Sequence, residues 1–163
     1  GISPVGVTAI GSKQDSTSQA QGYLKISPDG KKLAMAIAGL PINKVELYDF
    51  DSKTGKITNP ITVNLGTSPP SAYGVEFSPD SKKLYVSLKA DTAQNKINYS
   101  KLVQLDILSS DSIKIGKSLR IVDSLSNVTK EYFGALQLDP QGKNIYMAVQ
   151  GSTKIAIINS PDS

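Results

Sequence analysis

A thirteen-residue pattern occurs three times along this chain and constrains its fold more than any other feature. Leu24-Lys25-Ile26-Ser27-Pro28-Asp29-Gly30-Lys31-Lys32-Leu33-Ala34-Met35-Ala36 returns as Val75-Glu76-Phe77-Ser78-Pro79-Asp80-Ser81-Lys82-Lys83-Leu84-Tyr85-Val86-Ser87. It returns again as Leu136-Gln137-Leu138-Asp139-Pro140-Gln141-Gly142-Lys143-Asn144-Ile145-Tyr146-Met147-Ala148. Each copy opens with an apolar-polar-apolar triplet, the alternation of a half-buried strand. A Ser/Asp-Pro turn follows, in which proline presets φ and glycine tolerates positive φ. A second apolar run completes a hairpin.

The agreement continues past the hairpin. After a variable loop comes a third strand: Val45-Glu46-Leu47-Tyr48-Asp49-Phe50, Leu102-Val103-Gln104-Leu105-Asp106-Ile107 and Ile155-Ala156-Ile157-Ile158-Asn159. A fourth is expected at residues 57–65 and 113–122. Four antiparallel strands repeated at a period near the ~40–50 residues of propeller repeats describe β-propeller blades. The expected fold is therefore all-β: about three four-stranded blades, as a partial propeller or as half of a six-bladed ring. The blades are expected at residues 22–65, 74–122 and 134–159, the last with three strands. Residues 1–11 resemble a fourth strand and would serve a preceding or last blade. Either further blades of a parent chain or a second copy would complete such a ring.

Composition removes several function classes. The chain has no Cys and no His, so thiol nucleophiles, zinc–thiolate sites and the commonest general base are absent. No metal site and no cofactor is expected. An Asp49–Gly55 segment faintly like a calcium loop carries Lys53 at a ligand position, where it would repel the cation. The net charge is +4, but Arg120 is the only arginine and the lysines are scattered through turns. Nucleic-acid surfaces cluster their charge and favour arginine, so no nucleic acid is expected as a partner. No apolar run approaches the ~20 residues of a membrane helix, so no membrane insertion is expected.

Gly22-Tyr23-Leu24-Lys25-Ile26-Ser27-Pro28, Val45-Glu46-Leu47-Tyr48-Asp49-Phe50, Tyr73-Gly74-Val75-Glu76-Phe77 and Ile157-Ile158-Asn159-Ser160-Pro161 give the chain a family look. It resembles the WD-like, YVTN-like propeller repeat regions of secreted bacterial surface proteins, the kind carrying a type IX secretion or gliding-motility-associated sorting domain. The resemblance implies export, to the cell surface or extracellular space first and the periplasm second. It transfers no catalytic residues.

Two sets of residues are candidates for recognition. Lys25, Glu76 and Gln137 align at the centre of the three innermost strands, where they would contact a ligand in the channel or hydrogen-bond between blades. Tyr99, Tyr132 and Phe133 fall in or beside the longest loops, residues 89–100 and 123–133, on the rim shared by inter-blade connections. Loops on a rigid scaffold commonly carry function, and tyrosine is favoured at interfaces. The expected function is a non-catalytic scaffold binding protein or glycan through this rim. The alternative is part of a lactonase-like or other hydrolytic propeller with catalytic groups elsewhere.

Overall fold

The computed structural model describes residues 8–15, 19–38, 42–67, 70–89, 99–126 and 130–163. These form three antiparallel sheets. The first contains β1 (Leu24–Ile26), β2 (Lys32–Ile37), β3 (Ile42–Asp51) and β4 (Lys56–Thr67). The second contains β5 (Ser71–Phe77), β6 (Lys83–Lys89), β7 (Tyr99–Asp106) and β8 (Arg120–Ser126). The third holds β9 (Tyr132–Leu138), β10 (Asn144–Gln150) and β11 (Ile155–Asn159). Each sheet is a meander in chain order, the topology of propeller blades. Of the expected N-terminal strand, residues 1–7 lie outside the described residues, and residues 8–11 are not in a strand.

The repeated turn closes each hairpin by the same chemistry. Ser27 Oγ accepts from Lys32 N–H at 2.9 Å and donates to Asp29 Oδ1 at 2.6 Å, which also accepts Lys31 N–H at 3.0 Å. Ser78 and Asp80 repeat this, with Lys83 N–H at 2.9 Å and Lys82 N–H at 3.1 Å. In the third copy Asp139 does both jobs, accepting Lys143 N–H at 2.9 Å and Asn144 N–H at 3.0 Å. The position two residues after the proline is left-handed in every turn: φ is +69° at Gly30, +60° at Ser81 and +66° at Gly142.

Each sheet has two faces, and the register assigns side chains to them. On the trailing face of the first blade, Ala34, Ala36, Val45 and Leu47 pack in one core with Val75, Leu84, Val86 and Leu105 of the second. On the trailing face of the second, Tyr85 and Leu102 meet Phe133, Leu136, Ile145 and Met147 of the third. Both junctions repeat a polar hook. Asn43 Oδ1 accepts Ala72 N–H at 3.0 Å, and at the matching place Ser100 Oγ accepts Phe133 N–H at 2.9 Å.

The structure departs from the sequence reading after β7. A fourth strand from residue 113 was expected, but Ser112–Lys117 forms a helix, α1, and β8 begins only at Arg120. Asp111 caps it, its carboxylate accepting Ile113 N–H at 2.8 Å and Lys114 N–H at 3.3 Å. Burial accompanies the change: the helical turn carries Ile115 fully into the first junction's core.

Candidate functional site

The three innermost strands, β1, β5 and β9, bring Lys25, Glu76 and Gln137 together. Lys25 Nζ donates to Gln137 Oε1 at 2.6 Å and pairs with Glu76 Oε2 at 3.0 Å. Glu76 also accepts two backbone N–H groups, its own neighbour Phe77 at 3.1 Å and Leu138 of the next blade at 3.0 Å. Glu76 is 3% exposed, and the carboxylate is tied to all three blades. Of the two readings for this trio, inter-blade bonding is what the geometry displays. A cavity of about 360 Å³ opens beside it, toward the hairpin turns, lined also by Pro28, Asp139 and Pro140. Its acid is engaged by three donors, the Lys25 ammonium and two backbone N–H groups, and forms part of a polar wall.

Tyr132 and Phe133 do not reach the rim. Strand β9 starts two residues earlier than expected, so both residues join the sheet opposite Gln150 and Val149. Phe133 is 2% exposed in the core against the second blade, and Tyr132 is buried as well. Tyr99 alone of the three faces solvent, 47% exposed at the start of β7 opposite Ser126. Residues 90–98, the bulk of the first long loop, and residues 127–129 of the second lie outside the described residues.

The aromatic wall of the rim is made by two other tyrosines. Tyr23, just before β1, and Tyr73, in β5, meet edge to face with ring centroids 5.4 Å apart and planes at 68°. Tyr23 N–H donates to Tyr73 O at 2.9 Å, fixing the pair across the blade junction. Lys89 Nζ sits 5.6 Å from the Tyr73 ring centroid. With Gly134, Ala135, Ala148, Val149 and Gln150 they line a cavity of about 310 Å³ at the end of the inner strands opposite the hairpin turns. Repeat alignment does not reveal this pair, because Tyr23 and Tyr73 occupy positions one step apart in their copies.

A second buried acid lies at the outer face of the first blade. Glu46 accepts Ser12 N–H at 3.0 Å, the Ser12 and Tyr48 hydroxyls, and the Thr62 hydroxyl at 3.1 Å. Burial alone would raise its pKa, but these hydrogen bonds outweigh that and hold it below the usual carboxylate range. Burial and the same carboxylate push the Tyr48 hydroxyl well above the usual phenol range. A Cβ on Gly11, whose φ is +81°, would strike the Tyr48 hydroxyl. Among the described residues, no cluster of acidic side chains is arranged to hold a metal ion, and no helix is long and apolar enough to cross a membrane.

No family model matches the sequence, and no curated protein matches it. Among solved structures, the fold is similar to that of a provisionally assigned 6-phosphogluconolactonase from Bacteroides fragilis. The TM-score is 0.54 at 18% identity, covering 87% of this chain and 35% of that one. A luciferin-regenerating enzyme aligns with a TM-score of 0.44 at 21% identity, over 85% of this chain and 41% of that one. This chain thus spans well under half the length of either structure. The sheets and the first of these likenesses make the chain an arc of β-propeller blades.

Proposed function

We propose that this arc is a non-catalytic recognition segment of an exported bacterial surface protein, binding a protein or glycan at the rim opposite its hairpin turns. The observation that carries the reading is the Tyr23–Tyr73–Lys89 cavity on that rim. It combines two aromatic rings, a cation and the Gln150 amide on a surface braced by three blades, a composition suited to partly polar ligands. The internally paired Lys25–Glu76–Gln137 trio supports the non-catalytic part. Export rests on the sequence resemblance. Glycan arrays and purified surface-protein panels probed with the intact chain test it. A ligand is expected whose affinity falls at least tenfold in Tyr23→Ala, and binding indifferent to that change would refute the rim as the site.

The fold likeness to a 6-phosphogluconolactonase favours a second reading, a segment of a hydrolytic propeller. Its catalytic groups would lie outside this segment, and turnover of 6-phosphogluconolactone by a propeller that carries it, unaffected by Tyr23→Ala, would establish it in place of the first.

A further inference from the structure

The two ends of the blades differ in charge. Lys44, Lys101 and Lys154 stand at or beside the starts of β3, β7 and β11, Lys89 ends β6, and Lys130 lies just before β9, all on the rim. The carboxylates gather at the other end. Asp29 and Asp80 sit in the hairpin turns, Asp51 and Asp106 close β3 and β7, and Asp139 and Asp162 follow β9 and β11. Lysines of the turn end pair with such acids, Lys32 with Asp49 at 2.6 Å and Lys82 with Asp80 at 3.2 Å. Among the described residues, Glu131 is the one carboxylate at the rim end of a strand. The turn end is near balance and the rim is positive.

Lys89 is the rim cation that lines a cavity. Its ammonium is held 5.6 Å from the Tyr73 ring centroid, a contact that positions the charge without neutralising it. Among the described residues it pairs with no carboxylate, and no carboxylate lines the cavity. Donors line it instead: the ammonium, the Gln150 amide and the hydroxyls of Tyr23 and Tyr73. Burial and the neighbouring Tyr23 push Tyr73 above the usual phenol range, so its hydroxyl keeps its proton. A lysine ammonium has donors and no acceptor, and an ionised acid is its converse. Tyr73 and Lys89 belong to the middle blade, so this wall stands between two junctions that the chain itself forms.

We infer that this cavity takes an acidic sugar unit of a glycan, its carboxylate or sulfate at the Lys89 ammonium and its C–H face against the Tyr23 ring. The inference rests on the rim reading above and adds the charge and the class of the ligand. Three features select a sugar over an acidic peptide. Tyr23 is 38% exposed and offers ring surface to the apolar face of a pyranose. The Gln150 amide both donates and accepts, as a sugar hydroxyl requires. The volume of about 310 Å³ lies at the low end of ligand pockets and suits one compact unit rather than an extended segment.

Titration calorimetry of the 163-residue chain tests it with oligogalacturonate, the neutral methyl ester of that oligomer, a sulfated galactan oligomer and an oligoglutamate of matched charge. At least one acidic oligosaccharide is expected to bind roughly tenfold or more tighter than the ester, and comparing the two separates carboxylate from sulfate. Lys89→Gln is expected to erase that margin, and Tyr23→Ala to weaken acidic and neutral oligomers alike. Lys154→Gln, on the same rim but outside the cavity, is expected to change neither. Ester binding equal to that of the acids, and lost in Tyr23→Ala, overturns the acidic ligand while the rim reading stands. Binding indifferent to Tyr23→Ala overturns both. Oligoglutamate held as tightly as the sugars, or equal losses in Lys89→Gln and Lys154→Gln, overturns the sugar site in favour of diffuse charge attraction. Failure of every probe to bind overturns the inference alone, since the surface-protein panels still test the rim. Circular dichroism confirms that the variants fold.

Discussion

The carboxylate of Glu76 shows how much one side chain can hold. It accepts Lys25 from the preceding blade, Phe77 beside it and Leu138 from the following blade. Glu76→Ala leaves Lys25 with Gln137 alone and deprives two N–H groups of their acceptor, so a loss of about 2–4 kcal/mol in urea unfolding is expected. Glu76→Gln keeps an acceptor and is expected to cost less. Glu46 makes a different prediction, about pH. Its folded pKa lies below the unfolded value, so its contribution is complete above the ordinary carboxylate range and drains away as pH falls through the folded value. Urea midpoints of the native chain are expected to fall more steeply below about pH 4.5 than those of Glu46→Gln. Equal slopes would show that the buried acid carries none of the acid sensitivity.

At the scale of the element, the hairpin turns were legible because their chemistry is local. Proline, the hydroxyl or carboxylate before it and the left-handed residue after it act within six positions, and three copies display them in register. Ser81 holds φ +60° where the sister turns have glycine, so Ser81→Gly is expected to stabilise by about 1 kcal/mol, read as a higher thermal midpoint. Asp139 carries alone what Ser and Asp share in the other turns. Asp139→Ser is therefore expected to destabilise by about 1 kcal/mol, and adding Gln141→Asp is expected to restore the loss, measured by chemical denaturation. The short helix α1 was illegible because six residues hold too few turns for an apolar period, and its reason is long-range: Ile115 fills a core made largely by other elements. Tyr132 and Phe133 were misplaced for a related cause. A strand that starts two residues early converts two loop aromatics into interior ones, and the deciding contact, the Ser100 hydroxyl on Phe133 N–H, is 33 residues away in sequence.

The whole molecule is a line of blades joined by two separate cores, one per junction. Energetics of such arrays are approximately nearest-neighbour. Phe133→Ala is expected to cost about 3–5 kcal/mol and to speed hydrogen exchange in β9, β10 and β11 far more than in β2 and β3. Uniform acceleration across all three sheets would instead mean one undivided cooperative unit. The Lys25–Glu76–Gln137 strap adds a constraint that the apolar cores do not. Its three members occupy one repeat position yet differ in charge, cation then anion then amide, and they meet only when the blades stand in this order. The blades are thus not interchangeable modules. Exchanging the second and third would separate the anion from the backbone donor it serves, and duplicating either end would set like beside like. A lineage that lengthens or shuffles this array by copying whole blades must rewrite that single inner position each time, so the channel wall bears a record of blade order that the turns, each closed within its own hairpin, do not keep.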